Sequence, residues 1–238
     1  MPRNTQIATL EQALGYHFKD PNLLTLALTH SSYANESRAK RQECESNERL
    51  EFLGDAVLQM YISDHLYTTY PRFLEGQLTK MRQFLVCEST LAKLAQDLHL
   101  GDYLYVGNGE EKNHGRTRPS ILANTFEAVL AAIYLDSHSI DNNTARHVLY
   151  RLMADVIKNA AHAHTDYKTQ LQQFVQQDGI EKLSYETIEE RGPAHQPFFR
   201  VEARINSNTV GVGEGKTKQE AEQNAARQAL ELFGLAQE

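Results

Sequence analysis

Three carboxylates lie on one stripe of a helix that the segment NERLEFLGDAVL, residues 47–58, predicts. An α-helix advances about 100° per residue, so Glu48, Glu51 and Asp55 fall within about 60° of one another. Like charges at this spacing destabilise a helix, so the stripe must face either water or a bound cation. Glycine inside a helix costs about 1 kcal/mol relative to alanine. Gly54 therefore indicates that another element packs closely beside Asp55.

A second helix, predicted over PSILANTFEAVLAAIYLD at residues 119–136, is apolar almost all round and must be buried. Asn124 and Glu127 interrupt it on one face. A buried carboxylate needs a partner, and no lysine or arginine lies within residues 120–141. Two explanations stay open: a divalent cation shared with Glu51 and Asp55, or a neutral Glu127 hydrogen-bonded to the backbone. Carboxylates around a hard cation such as Mg²⁺ suit phosphodiester hydrolysis.

The elements that position these residues are helical from residue 5 to about residue 159. Apolar residues recur there at spacings of three and four, and the last of these helices is predicted over residues 143–159. The small polar segment AAHAHTD, residues 160–166, is interpreted as a linker. Its two histidines lack a further ligand nearby, so we do not predict a metal site there.

The remaining chain has a different pattern. Helices are predicted over residues 167–177 and 218–233, with strands over residues 183–188, 198–205 and 208–213. This α-β-β-β-α order makes a small α+β domain with two helices on one face of an antiparallel sheet. The predicted fold is an all-α domain over residues 6–138, with its closing helix and linker reaching about 164, followed by this domain over 165–235.

Composition limits the function classes. The 238 residues carry a formal net charge of −7, which argues mildly against a nucleic-acid-binding protein. No apolar run approaches the roughly 20 residues that a membrane span needs. Two cysteines without a CxxC motif fit a reducing compartment. We therefore expect a cytoplasmic globular protein with no membrane partner.

Four segments together resemble the nuclease-domain motifs of bacterial ribonuclease III, an endonuclease of double-stranded RNA. In chain order they are LTHSSY at 28–33, NERLEFLGDAVL at 47–58, FLEGQLTKMR at 73–82 and SILANTFEAVLAAIYL at 120–135. The α-β-β-β-α segment resembles the double-stranded-RNA-binding domain that follows in that family. The resemblance implies a homodimer that uses Mg²⁺, for which Mn²⁺ can substitute, and no small-molecule cofactor. The implied products carry 5′-phosphate and 3′-hydroxyl ends with short 3′ overhangs, from ribosomal RNA precursors and other structured RNAs, messenger and transfer RNA included.

The resemblance also assigns roles to residues of the first domain. Asp55 and Glu127 match catalytic carboxylates, and Glu51, Asn124 and Glu127 match metal ligands. Glu48 and Glu75 match additional acidic residues of the site, and Phe52 matches an aromatic that packs into the partner subunit. Asn124 departs from the aspartate usual at its position. Its carbonyl oxygen can still bind a hard cation, so we predict weaker Mg²⁺ binding without loss of the site.

Double-stranded RNA is recognised mainly by shape, through 2′-hydroxyl and phosphate contacts. The resemblance places these contacts on the helix residues Thr169, Gln170 and Gln173, on His195 in the loop 192–195, and on Lys216 and Lys218. Residues 166–238 hold eight Lys and Arg against twelve Asp and Glu. Gln219 and Glu222 stand where a basic residue is frequent. These departures predict modest affinity with a shallow salt dependence.

Two other functions compete with the nuclease. A non-cleaving scaffold that binds double-stranded RNA through a degenerate nuclease site would suit Asn124 and the acidic RNA-binding domain. A metal-dependent phosphohydrolase of small phosphate esters would account for the acidic helices but would leave the C-terminal domain without a role.

Overall fold

The computed structural model of the protein describes residues 4–137, 143–164, 167–177, 182–193 and 196–235. The chain divides into two compact units, Met1–His164 and Thr165–Glu238, called here the first and the second unit. The first unit is helical, and the second has the order α-β-β-β-α. The predicted fold class is therefore confirmed. Within the described residues, no helix is both long and apolar enough to span a membrane.

The first unit contains ten α-helices and one 3₁₀ turn among its described residues. They are α1 (Asn4–Leu14), α2 (Pro21–Ala27), α3 (Ser31–Ala39), α4 (Glu48–Thr69), α5 (Glu75–Leu85), α6 (Glu88–Asp97), α7 (Leu100–Tyr103), α8 (Asn108–Lys112), the 3₁₀ turn (Gly115–Thr117), α9 (Pro119–Ser137) and α10 (Thr144–His164).

Helices α4 and α9 pack against each other at the centre of the first unit. Helix α9 is buried on nearly every side, as its apolar sequence predicts. A Cβ atom at Gly54 of α4 would overlap the backbone carbonyl of Glu127 in α9. The missing side chain lets the two backbones meet, which confirms the close packing predicted from Gly54. The contact also brings the carboxylates of both helices to one place.

The start of α4 is tied to the chain between α2 and α3. The backbone N–H of Asn47 donates to the carbonyl of Thr29 at 2.8 Å. The buried side-chain amide of Asn47 donates to the carbonyl of Ala27 at 3.1 Å. Tyr105 fixes the same stretch from the other side, because its carbonyl accepts from the N–H of His30 at 3.0 Å. The first turns of α3 and α4 are thereby held side by side.

The linker interpretation of residues 160–166 is wrong for its first five residues. Helix α10 continues to His164, five residues beyond the predicted end at Asn159. Alanine has the highest helix propensity, and three of these five residues are alanines. Ala160 is also fully buried in the core of the first unit. Packing and propensity together therefore extend the helix, and residues 165 and 166 lie outside the described residues.

The second unit consists of α11 (Tyr167–Gln177), β1 (Leu183–Arg191), β2 (Phe198–Ile205), β3 (Asn208–Gly215) and α12 (Lys218–Leu232). The strands form an antiparallel sheet in the order β1-β2-β3. Strand β1 runs three residues beyond the predicted end at Ile188, because a register shift at that residue interrupts the alternation of side chains. Strand β3 likewise continues two residues beyond Gly213, where Gly215 pairs with Phe199.

Helix α12 covers the inner face of this sheet. A Cβ atom at Gly211 or Gly213 of β3 would overlap the backbone of α12, so the glycines permit the close approach. The core is completed by small and aliphatic side chains, among them Leu171 and Val175 of α11 and Ala203 of β2. The sheet thereby fixes α12 and α11, whose N-terminal turns carry most of the predicted RNA-binding residues.

Candidate active site

An open cleft of about 530 Å³ lies where α4, α9 and the start of α3 meet. The four carboxylates and the Asn124 amide, which the sequence analysis placed on two separate helices, all line this cleft. The lining residues are His30, Ser31, Asn47, Glu48, Glu51, Phe52, Asp55, Asn124 and Glu127. The two acidic helices therefore face one common space.

The carboxylates in this cleft repel one another. Burial, together with the charges of Asp55 and Glu51, raises the pKa of Glu127 to about 7. Burial also raises the pKa of Glu51, a shift that the nearby Glu48 and Asp55 reinforce. A cation in the cleft would relieve this repulsion.

Asn124 has a defined partner in the cleft. Its side-chain amide donates a hydrogen bond to the carboxylate of Glu51, which opposes the upward shift of the Glu51 pKa. An aspartate at this position would add a fifth negative charge instead. The amide therefore favours an ionised Glu51 without any bound cation, while its carbonyl oxygen remains available as a ligand.

The remaining two carboxylates of α4 are held by short-range hydrogen bonds. Gln59, one turn further along, donates from Nε2 to Asp55 at 2.9 Å. Ser46 donates from Oγ to Glu48 at 2.7 Å. Among the described residues, no three His, Cys, Asp or Glu side chains converge as a ready-made metal site. The carboxylates line the cleft rather than meeting at one point.

Three residues of the cleft wall were not singled out from the sequence: His30, Ser31 and Asn47. Their position depends on the backbone hydrogen bonds between the start of α4 and the residues before α3. The signal in the sequence is the polar run Thr29–Ser32, which reads as a helix N-cap. A cap motif alone gives no sign that the same side chains also line a cleft.

Glu75 is not in this cleft. It lies at the start of α5, in a second and more apolar pocket toward the other end of α4, where it accepts a hydrogen bond from Thr79. The other lining residues of this pocket are Ser63, Asp64, Leu66, Tyr67, Phe73, Leu78, Thr79 and Arg82. Within one chain, Glu75 and the four clustered carboxylates therefore belong to separate sites.

Phe52 lies at the rim of the acidic cleft with 80% of its surface exposed. Met60 and Tyr67 are also exposed and lie further along α4. Exposing large apolar side chains to water is unfavourable, and a row of them on one helix is typical of an interaction surface. The position of Phe52 is thus compatible with a contact to another molecule.

Apart from His195, the RNA-binding residues predicted in the second unit lie on or directly before two helices, α11 and α12, that contact each other near their N-terminal turns. Lys168 of α11 joins them, because its Nζ lies 2.6 Å from Glu222 of α12 and its backbone N–H donates to Gln223. Thr169, Gln170 and Gln173 follow on α11, while Lys216 and Lys218 are exposed at the start of α12. His195 lies outside the described residues.

The chain was compared with models of protein families. Residues 20–156 match the model described as Ribonuclease-III-like. Residues 167–232 match the model of the double-stranded RNA binding motif. The first match covers the residues of the acidic cleft, and the second covers α11, the sheet and α12.

Curated relatives and solved structures agree with these matches. The chain is 46% identical to Ribonuclease 3 of Halalkalibacterium halodurans over 93% of this chain and 82% of that protein. It is 46% identical to Ribonuclease 3 of Listeria monocytogenes serotype 4a, over 93% of this chain and 95% of that protein. It is 44% identical to Ribonuclease 3 of Geobacillus thermodenitrificans, over 98% of this chain and 94% of that protein.

Among solved structures, the nuclease domain of ribonuclease III from Campylobacter jejuni matches 63% of this chain and 96% of its own. The identity is 41% and the TM-score 0.56. Nucleases of this family depend on metal ions. None of these comparisons favours a non-cleaving scaffold. The chain belongs to the ribonuclease III family and is an endoribonuclease that acts on double-stranded RNA.

Proposed function

We propose that the protein cleaves double-stranded RNA with Mg²⁺ held in the cleft between α4 and α9. The observation that carries this proposal is that Glu51, Asp55 and Glu127 line one cleft, where burial and the two neighbouring charges raise the pKa of Glu127 to about 7. The donor set of Glu51, Asn124 and Glu127 consists only of oxygen atoms, which suits a hard divalent cation. Mn²⁺ accepts the same ligand types and can substitute.

Mg²⁺ in this cleft would polarise the scissile phosphate and lower the pKa of a bound water. The side chains of α4 then orient the reactants. Asp55, whose carboxylate is steadied by Gln59, accepts a hydrogen bond from the attacking water. Glu48 adds a further acceptor, fixed by Ser46 at the edge of the cleft. Attack by water on the phosphate leaves a 5′-phosphate on one product and a 3′-hydroxyl on the other.

We propose that the active form is a homodimer. The exposed Phe52 and the apolar pocket around Leu66 and Phe73 are the two complementary halves that a two-fold interface requires. Phe52 and Tyr67 are fifteen residues apart on α4, or about 22 Å along the helix. When two copies of α4 lie antiparallel, Phe52 of each copy reaches the pocket of the other.

The same arrangement gives Glu75 a role in the active site. Glu75 lines the pocket that would receive Phe52 of the second copy, and Phe52 lines the acidic cleft of its own chain. Each Glu75 would thus stand at the edge of the other copy's cleft. Two clefts related by the two-fold axis would cut the two RNA strands at offset positions, which accounts for short 3′ overhangs.

The dimer is tested by sedimentation of a Phe52→Ala variant. Removing this ring should shift the protein to monomers at micromolar concentration while its helical content is unchanged. Leu232→Ala, which removes another strongly exposed apolar side chain from the second unit, is the matched control and should stay dimeric. A dimeric Phe52→Ala protein would contradict the proposed interface.

We propose that the second unit holds RNA through Thr169, Gln170, Gln173, His195, Lys216 and Lys218. Glu220 fixes the backbone at the exposed Lys216, because its carboxylate accepts from the backbone N–H of Lys216 at 2.7 Å. Thr217 caps α12 by accepting from the N–H of Glu220 at 3.1 Å. The two lysines then flank a helix N-terminus, where phosphate binds readily. The RNA targets we propose are ribosomal precursors and other structured RNAs of the cytoplasm.

A cleavage assay tests the whole proposal. An RNA duplex of about 40 base pairs exceeds the roughly 16 that one RNA-binding module covers. It should yield short duplexes with 5′-phosphates only when Mg²⁺ or Mn²⁺ is present. Asp55→Ala should abolish cleavage and keep RNA binding, whereas Asp97→Ala, an exposed carboxylate of α6, should leave both unchanged. RNA binding without products at any metal concentration would instead support the scaffold.

A further inference from the structure

Among the described residues, His30 is the one histidine in the wall of the acidic cleft. It immediately precedes α3, and its backbone N–H is fixed by the carbonyl of Tyr105. The hydrogen bonds of Asn47 place the start of α4, with Glu48 and Glu51, beside it. The ring is therefore held at a set position next to the carboxylates rather than free on a loop.

Hydrogen bonds to Ser32 fix which nitrogen of this ring carries the proton. The backbone N–H of Ser32 donates to Nδ1 of His30 at 3.2 Å, and Ser32 Oγ lies 2.8 Å from the same atom. Ser32 Oγ in turn accepts from the N–H of Gly107 at 2.9 Å, so its own hydrogen is free for Nδ1. An amide N–H can only donate, so Nδ1 is an acceptor. The neutral ring then carries its hydrogen on Nε2.

The surroundings keep the ring neutral. Burial lowers the pKa of His30, and the guanidinium of Arg118 acts in the same direction. Glu110 and Glu48 oppose them. Protonation of Nδ1 would also break the hydrogen bond that the backbone N–H of Ser32 donates to it. A neutral ring with an occupied Nδ1 presents a single donor, the Nε2–H, and among the described residues nothing accepts from it.

Few donors in the cleft are available to an anionic ligand. Its ionised carboxylates are acceptors, and one N–H of each lining amide is already used, that of Asn47 on Ala27 and that of Asn124 on Glu51. The hydroxyl of Ser31 is the other side-chain donor of the wall beside the Nε2–H of His30. A phosphodiester brings two non-bridging oxygens, both acceptors, into a space of mostly negative charge. A metal ion neutralises this charge, but each oxygen that is not bound to it still needs a donor.

We infer that His30 is a substrate-contacting residue, whose Nε2–H donates a hydrogen bond to a phosphate oxygen of the RNA strand in the cleft. The inference rests on the proposed function and adds a residue to it. It also explains why a histidine rather than a smaller cap residue stands before α3. The ring both caps the helix through Nδ1 and reaches the cleft through Nε2.

A His30→Asn variant separates these two roles. Asparagine is among the best N-cap residues, so its side-chain oxygen can accept from the N–H of Ser32 and keep α3 in place. It cannot reach the position of Nε2. We expect an unchanged unfolding midpoint and unchanged affinity for RNA in metal-free buffer. The single-turnover cleavage rate should fall about 10- to 100-fold, as for a lost hydrogen bond to a charged group.

Asp20→Ala is the matched control for capping. Asp20 caps α2 by accepting from the N–H of Asn22 at 3.0 Å, away from the cleft. Its replacement should lower the unfolding midpoint and leave the cleavage rate of the folded protein unchanged. His30→Ala should show both effects, a lower midpoint and the slower cleavage.

Modified substrates locate the contact. Each duplex carries one methylphosphonate next to the cut, paired with a control duplex that carries only the 2′-deoxy sugar needed beside it. At one phosphate, removal of the charged oxygen should slow the wild-type protein and cause no further loss in His30→Asn. A folded His30→Asn protein that cleaves within twofold of wild type, or losses that multiply at every phosphate, would refute the contact alone. A wild-type protein that cleaves no duplex would refute the proposed function and the contact with it.

Discussion

Replacing Glu127 by glutamine tests whether the cleft stores electrostatic repulsion that a cation relieves. Burial, reinforced by Asp55 and Glu51, places the pKa of Glu127 at about 7 against an ordinary 4.5. Between these two values the folded protein binds more protons than the unfolded chain, so its stability falls as the pH rises through that window. Glutamine carries no charge and escapes this loss. The variant should therefore be more stable than wild type above pH 7.

The size of the effect follows from the two pKa values. Ionising Glu127 in the folded protein at pH 8 costs at most about 3.4 kcal/mol relative to the unfolded chain. Water reaches part of the side chain and screens its interactions, which reduces the expected cost to about 1 to 2 kcal/mol. At pH 5 the folded carboxyl is almost fully protonated, so the difference between variant and wild type should shrink to about 0.5 kcal/mol or less.

Urea unfolding in a chelating buffer at pH 5 and pH 8 measures this difference, with far-UV circular dichroism to follow the mainly helical first unit. Glu43→Gln, which neutralises an exposed glutamate before α4, is the control and should change stability little at either pH. Added Mg²⁺ should stabilise wild type more than the variant, because binding to the folded state adds to stability. Equal stability of variant and wild type at pH 8, or a destabilised variant, would refute the stored repulsion.

Three further substitutions have defined outcomes. Asn124→Asp adds a carboxylate beside Glu51, so it should lower the metal-free stability and also the Mg²⁺ concentration for half-maximal cleavage; no change, or a rise, would contradict Asn124 as a ligand. Glu222→Lys releases Lys168 and adds a cation, so filter binding at several salt concentrations should show tighter RNA binding and a logarithmic slope steeper by about one to two. The buried Asp136 accepts hydrogen bonds from Tyr16 and from the N–H groups of residues 19 and 20. Asp136→Asn leaves some of these donors without an acceptor, so urea unfolding should show a free energy of unfolding lower by about 2 to 4 kcal/mol.

The acidic residues of the cleft were predictable because they follow from helix geometry. Glu48, Glu51 and Asp55 lie on one stripe of the helix whatever packs around it, and Gly54 already indicated that another element packs closely beside Asp55. In the structure, Glu127 lies beside these three carboxylates because Gly54 sets the point where α9 crosses α4. Helix periodicity and the position of Gly54 are therefore sufficient to predict most of the acidic residues of the cleft.

The rest of the cleft depends on contacts between segments distant in the chain. His30 and Asn47 are brought together by backbone hydrogen bonds to Tyr105 and Thr29. No local sequence pattern predicts these hydrogen bonds. The separation of Glu75 from the cleft was equally hidden, because a sequence motif does not tell which end of α4 it approaches. The end of α10 was misjudged since helix propensity and burial outweighed the small polar composition of its last turn.

In an acidic chain, RNA binding depends on where the cations and neutral hydrogen-bond donors lie. In the cleft, the carboxylates would repel a phosphodiester unless a metal ion neutralises them, and His30 offers a donor without adding a charge that would weaken metal binding. In the second unit, Thr169, Gln170 and Gln173 can contact 2′-hydroxyls, which are neutral, so binding there does not need a basic surface. Net charge therefore limits how strongly affinity depends on salt, while the placement of neutral donors decides whether RNA is bound at all.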